Sequence, residues 1–91
     1  GLCYDGQDLV MSDGSARLTF RGPTTFRTTR EVTARLRGQP VDQLNELECV
    51  AGQVYANIWM TDRLVRIDPK SGDVTAEIDA ANLLPEAERF G

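Results

Sequence analysis

The 91-residue chain has no histidine, only two cysteines, a single tryptophan and few aromatics (7%). Without histidine, a His-based catalytic triad is excluded within these residues, and so are the commonest zinc ligand sets. Cys3 and Cys49 are too few for the framework of a cysteine-stapled small domain. No apolar run approaches the roughly 20 residues of a membrane-spanning helix, so no membrane partner is expected. No basic segment followed by an apolar stretch marks a signal peptide. Cations are in the minority, with 10 Lys and Arg against 14 Asp and Glu, for a formal charge of −4. A nucleic-acid binder needs clustered cations to displace counterions from phosphates, so nucleic acid is not an expected partner either. Arg17, Arg21, Arg27, Arg30, Arg35 and Arg37 crowd the first half and read as solvated strand faces.

What the chain does contain is a repeat. Displaced by 46 residues and laid on itself without a gap, it brings Cys3 onto Cys49, Gly6 onto Gly52 and Gln7 onto Gln53. Arg17-Leu18 then meets Arg63-Leu64, Pro23 meets Pro69, Thr29 meets Thr75, Glu31 meets Glu77 and Ala34 meets Ala80. Several of these are turn residues at fixed offsets, which chance produces less readily than scattered identities.

Each unit reads as β-structure. Asp5-Gly6 is a hairpin signal between Leu2–Tyr4 and Leu9–Ser12, and Asp13-Gly14-Ser15 turns the chain into Arg17–Phe20. Gly22-Pro23 breaks before the β-branched run Thr25–Val32. In the second unit Ala51-Gly52 separates Glu46–Val50 from Val54–Trp59, and Thr61-Asp62 precedes Leu64–Asp68. Asp68-Pro69-Lys70-Ser71-Gly72 is a strong turn, leading into the alternating strand Val74–Asp79. Residues 35–44 read as a crossing loop broken by Gly38 and Pro40. Only Ala80–Arg89 has helical character, with Pro85 suited to a first helical position. Four short strands per unit at a period in the forties is the pattern of propeller blades. The expected fold is therefore all-β: two four-stranded antiparallel blades, 1–46 and 47–91, ending in a short helical or irregular segment. The alternative is a small eight-stranded β-sandwich.

Gly1-Leu2-Cys3-Tyr4-Asp5-Gly6, Met11-Ser12-Asp13-Gly14-Ser15, Leu44-Asn45-Glu46-Leu47-Glu48 and Ala56-Asn57-Ile58-Trp59 add a more specific signal. With Thr61-Asp62-Arg63 and Arg66-Ile67-Asp68-Pro69, they stand in an order and spacing that resembles the plant-type glutaminyl cyclase (glutamine cyclotransferase) family. The resemblance implies a five-bladed β-propeller, secreted or periplasmic, converting N-terminal glutamine to pyroglutamate with loss of ammonia at one mouth of its channel. It implies a catalytic role for Asn45 and a substrate-binding role for Trp59, and no cofactor or metal. It also implies that the general acid/base glutamate, a lysine and a further tryptophan lie on blades outside this chain. Three positions depart from the family: Gly22 for an acid, Cys49 for an aromatic or apolar residue, and Met60 for a glutamine.

Chemistry assigns these residues credible tasks. The α-amine of the substrate must be neutral to attack its own γ-carboxamide carbon, and its ordinary pKa near 8 permits that around neutral pH. A carboxyl group must take a proton and deliver one to the leaving ammonia, while the oxyanion needs a donor. The carboxamide of Asn45 both donates and accepts, so it suits either a substrate carboxamide or the tetrahedral oxygen. Its bland alternative is an asparagine satisfying loop backbone. Trp59 suits an apolar wall that folds the glutamine side chain; its alternative is a core residue between blades. Glu46 and Glu48 alternate with Asn45 in an extended strand and read as structural. Asp13, Asp62, Arg63 and Asp68 read as turn residues, and no calcium-loop spacing is present.

Like positions in adjacent blades are expected to lie beyond the ~7 Å that a disulfide allows between Cα atoms, so Cys3 and Cys49 are expected to be buried free thiols. Two blades cannot close a ring and leave two apolar faces open. The chain is therefore expected to be a fragment completed by the remaining blades or by other copies of itself, and catalytically inert alone. Its other expected partner is an N-terminal glutaminyl peptide or protein. Against this stand a non-catalytic propeller segment acting as a binding or structural module, and an independent β-domain of unknown ligand.

Overall fold

The computed structural model describes residues 1–79; the helical segment expected after Asp79 lies outside the described residues. The strands run β1 (Leu2–Tyr4), β2 (Leu9–Ser12), β3 (Arg17–Arg21), β4 (Thr28–Thr33), β5 (Arg35–Leu36), β6 (Gln39–Pro40), β7 (Leu44–Val50), β8 (Gln53–Ile58), β9 (Arg63–Ile67) and β10 (Val74–Asp79). They form two four-stranded antiparallel meanders, β1-β2-β3-β4 and β7-β8-β9-β10, joined through the small β5-β6 sheet. The first strands of the two meanders, β1 and β7, lie against each other. This is the arrangement of neighbouring propeller blades meeting at their inner strands.

The connecting segment is more ordered than a crossing loop. Arg37 (φ 52°) and Gly38 (φ 81°) occupy successive left-handed positions, the geometry of a type I′ turn, and close the β5-β6 hairpin. The second sheet begins at Leu44, three residues ahead of the second repeat unit.

The alternating pattern buries one face of each sheet against the other. Val10, Leu18 and Phe20 from the first sheet meet Leu44, Leu47, Val54, Ala56, Val65 and Ile67 from the second, with Ala34 of the connection between them. Seven large side chains in this cluster are almost wholly buried, each contributing roughly 1.5–3 kcal/mol. Among the described residues no polar or charged residue is buried.

Polar contacts tie the sheets at their margins. Arg35 donates its N–H to the Gly72 carbonyl (2.9 Å), and the Arg30 guanidinium donates to the Pro69 carbonyl (2.7 Å). At the inner strands Cys3 and Cys49 form a disulfide with a Cα–Cα distance of 5.6 Å. The expectation of two free thiols is therefore corrected. Blades diverge outward from their axis, so like positions come closest on the innermost strands, and both cysteines are on them. The separation that precludes a bridge elsewhere in a blade does not apply there.

Candidate functional site

At the end of the inner strands away from the disulfide, Gly14, Asp42, Gln43, Leu44, Asn45 and Trp59 line an open hollow of about 420 Å³. Three pieces of backbone converge there: the β2–β3 turn, the entry to β7 and the exit of β8. Two hydrogen bonds hold them together. Leu44 N–H donates across the sheets to the Ser15 carbonyl (3.2 Å), and Trp59 N–H donates to the Gln43 carbonyl (2.9 Å).

Local conformation sets what each side chain can do. Gln43 has φ 62° and Met60 φ 66°, left-handed positions that cost a non-glycine residue of order 1 kcal/mol. Both sit beside the Trp59 backbone. After Trp59 the chain turns back, with Thr61 donating through its N–H (3.1 Å) and its hydroxyl (2.7 Å) to the Ile58 carbonyl. The indole is left 56% exposed, so Trp59 is not part of the buried cluster. Met60, at 81% exposed, is turned to solvent and does not line the hollow.

Asn45 reaches the hollow through an irregularity. Leu44 pairs with Ile58 and Leu47 with Ala56, so Asn45 and Glu46 together oppose Asn57 alone. Such a β-bulge inserts a residue and re-aims the side chains around it. Strict alternation would not bury both Leu44 and Leu47, three positions apart, yet both are buried. Neither Glu46 nor Glu48 lines the hollow, and both are exposed.

The structure thus brings Asn45 and Trp59, assigned from separate stretches of sequence, to one hollow. Asp42 and Gln43 were not singled out in the sequence; only their place just before Asn45 pointed to them. Asp42 Oδ1 accepts from the Gln43 N–H (2.9 Å), and its carboxylate is exposed at the rim. Nearby, the Asp13 carboxyl is held below its ordinary range, chiefly by the Ser15 hydroxyl and then by the Ser15 N–H. Among the described residues no three His, Cys, Asp or Glu side chains stand together as a metal set. A second hollow, of about 340 Å³, lies at the disulfide end. Its Arg30 is spent on cohesion, stacked 3.7 Å from the Phe20 ring centre and bonded to Pro69.

The hollow offers a two-way hydrogen-bonding carboxamide, an exposed indole wall and one rim carboxylate, at one end of two blade-like sheets. Fold and site together define a propeller segment with an open recess at one end of its paired sheets. The chain belongs to the glutamine cyclotransferase family, whose model matches residues 1–91. It is 40% identical over 74 residues to the glutaminyl-peptide cyclotransferase of Arabidopsis thaliana, a match covering 81% of this chain and 23% of that protein. It is also similar to the crystal structure of Myxococcus xanthus glutaminyl cyclase, with 48% identity and a TM-score of 0.88 over 94% of this chain and 37% of the other. The chain thus spans between about a quarter and somewhat more than a third of the length of these relatives.

Proposed function

We propose that these two sheets are consecutive blades of a glutaminyl-peptide cyclotransferase and supply one wall of its active site. The substrate is a peptide or protein with N-terminal glutamine. Its neutral α-amine forms a bond to the γ-carboxamide carbon, the C–N bond to the amide nitrogen breaks, and pyroglutamate and ammonia result. Asn45 anchors the γ-carboxamide and donates to the oxygen as charge develops on it. Trp59 walls the glutamine side chain into a folded conformer, which matters because ring closure is limited by orientation. The proton-transferring carboxyl group lies on blades beyond residues 1–91, as the family resemblance implies. The 91 residues alone are catalytically inert. The family resemblance implies a ring of five blades, whose remaining three, or other copies of the chain, cover the outer sheet faces.

The observation carrying this reading is the meeting of Asn45 and Trp59 at one recess, in a chain of this family. The Cys3–Cys49 bridge supports a secreted or periplasmic location, since disulfides persist in oxidising compartments. In a closed-ring protein containing these residues, Asn45→Ala should lower kcat for a glutaminyl peptide by about 10²-fold, the scale of losing one oxyanion donor. Residues 1–91 alone should show no turnover. A folded ring that leaves glutaminyl peptides unchanged would instead identify a non-catalytic binding or structural module.

A further inference from the structure

The β-bulge that carries Asn45 has a consequence for three residues outside the recess. An inserted residue leaves a peptide unit that the strand ladder cannot pair, and its N–H and C=O need other partners. In β7 that unit is the peptide between Asn45 and Glu46. Its N–H donates to Asn57 Oδ1 (2.6 Å), from the one residue opposite the bulge. Its carbonyl accepts from the Ser12 hydroxyl, which comes from β2 of the other sheet. Both polar atoms of one peptide are therefore held by side chains from two directions.

Gly1 completes the arrangement. Its carbonyl accepts the Ser12 N–H (3.1 Å), which holds it beside the Ser12 side chain. Its Cα lies so close to the same peptide that a Cβ there would collide with the Asn45 carbonyl oxygen and crowd Glu46 Cα and Leu47 N, each 2.9 Å away. Only glycine fits against the bulge. The orientation of a peptide plane sets the direction of the Cα–Cβ bond beside it, so holding this plane aims the Asn45 side chain.

We propose that Ser12 and Asn57, with the clearance provided by Gly1, are positioning residues that lock the Asn45–Glu46 peptide and thereby aim the Asn45 carboxamide into the recess. This rests on the cyclotransferase reading for its catalytic consequence, but not for the lock itself. Asn57 acts as an acceptor only. Aspartate, isosteric and still an acceptor, should replace it, whereas leucine of similar size should not.

Two readouts on a closed-ring protein containing these residues separate the possibilities. The first is amide hydrogen exchange at Glu46. Asn57→Leu should accelerate it at least tenfold and Asn57→Asp should leave it within about threefold of wild type, because a retained acceptor keeps the amide bonded. The second is turnover of a glutaminyl peptide. Asn57→Leu should lower kcat by about 10–100-fold with KM changed less than threefold, the scale of a misplaced catalytic group. Asn57→Asp should restore it, and Ser12→Ala should lower kcat about tenfold. In an Asn45→Ala background Asn57→Leu should cause no further loss, since a residue acting through another has nothing left to position. Unchanged Glu46 exchange in Asn57→Leu overturns the lock. Additive losses in the double variant overturn the positioning role. If Asn57→Leu does not fold, Ser12→Ala alone and combined with Asn45→Ala decides the same question. Turnover unaffected by Asn45→Ala would overturn the cyclotransferase role of Asn45, and with it the catalytic half of this inference, while the Glu46 exchange still decides the lock.

Discussion

The two sheets repeat each other bond for bond over most of their length and part company at a few positions. Thr29 Oγ1 donates to the Phe20 carbonyl (3.2 Å), and Thr75 Oγ1 donates to the Arg66 carbonyl (3.3 Å) at the same offset. Each threonine is the extra residue of a bulge in an outer strand. Arg17 pairs with Glu31, and Arg63 with Glu77. The β3–β4 turn, with Gly22 N–H to Arg27 O and Phe26 N–H to Gly22 O, recurs as Asp68 N–H to Asp73 O and Gly72 N–H to Asp68 O. The exceptions are informative. Where the first sheet has Asp13 clasping its turn, the second has Trp59; where the first has left-handed Gly14, the second has left-handed Met60. Both changes fall where the second sheet meets the recess. The blade scaffold is shared, and the proposed site uses positions at which one copy has given up turn chemistry.

The comparison can be broken most forcefully at the bridge between equivalent positions. Cys3→Ser should cost about 2–5 kcal/mol in chemical denaturation, the usual range for a native disulfide in a small fold. Reductant should lower the wild-type midpoint to that of the variant and leave the variant unmoved. A midpoint insensitive to both would mean that the bridge adds no stability to the paired sheets.

A somewhat smaller effect separates Phe26 from Gly72, which hold the same left-handed turn position (φ 60° and 85°). Phe26 is exposed, and its ring lies 4.8 Å under the Arg21 guanidinium. Gly72 is buried at the sheet junction, where a Cβ would strike the Thr33 carbonyl oxygen. Gly72→Ala combines backbone strain with a collision and should destabilise by about 2–4 kcal/mol. Phe26→Gly exchanges relief of about 1 kcal/mol of strain for a lost stacking contact of similar size, so thermal denaturation should barely register it. Equal effects at the two sites would remove the junction from the account.

Much of the fold is legible in the sequence. The repeat, the eight main strands and the approach of two sheets follow from turn residues at fixed offsets and from alternation in stretches such as Val74–Asp79. The roles proposed for Asn45 and Trp59 rest on family resemblance alone, since a lone Asn or Trp in a strand has commoner fates; the structure adds that both line one hollow. Three features were not read, each for a physical reason. A single blade-to-blade distance for all strands argues against the disulfide, whereas the inner strands converge. The β5-β6 hairpin reads as loop because Arg37-Gly38 lacks the usual Asn or Asp. The bulge was hidden because Asn45, Glu46, Leu47 and Glu48 read as unbroken alternation, and only the pairing of Leu44 with Ile58 exposes the extra residue.

The smallest predicted effect tests the exchange of Asp13 for Trp59 directly. Asp13 Oδ1 accepts from the Ser15 hydroxyl and, at 3.0 Å, from the Ser15 N–H, and these bonds lower its pKa in the folded chain. A carboxyl depressed by folding stabilises the structure at pH above its unfolded value, and that contribution fades as pH falls through the lower folded value. The side chain is exposed, so the global effect should be slight. The local effect should be selective. As acid protonates Asp13, exchange of the Ser15 amide should quicken relative to the acid-catalysed rate of an unstructured chain. The equivalent Thr61 amide, bonded to the Ile58 carbonyl with no carboxylate involved, should follow the reference. Asp13→Ala should abolish this acid response, leaving the Ser15 amide unprotected at every pH and the Thr61 amide unchanged. If both amides respond to acid alike, the clasp is not what distinguishes the first turn from the second, and the freedom of the Trp59 indole needs another cause.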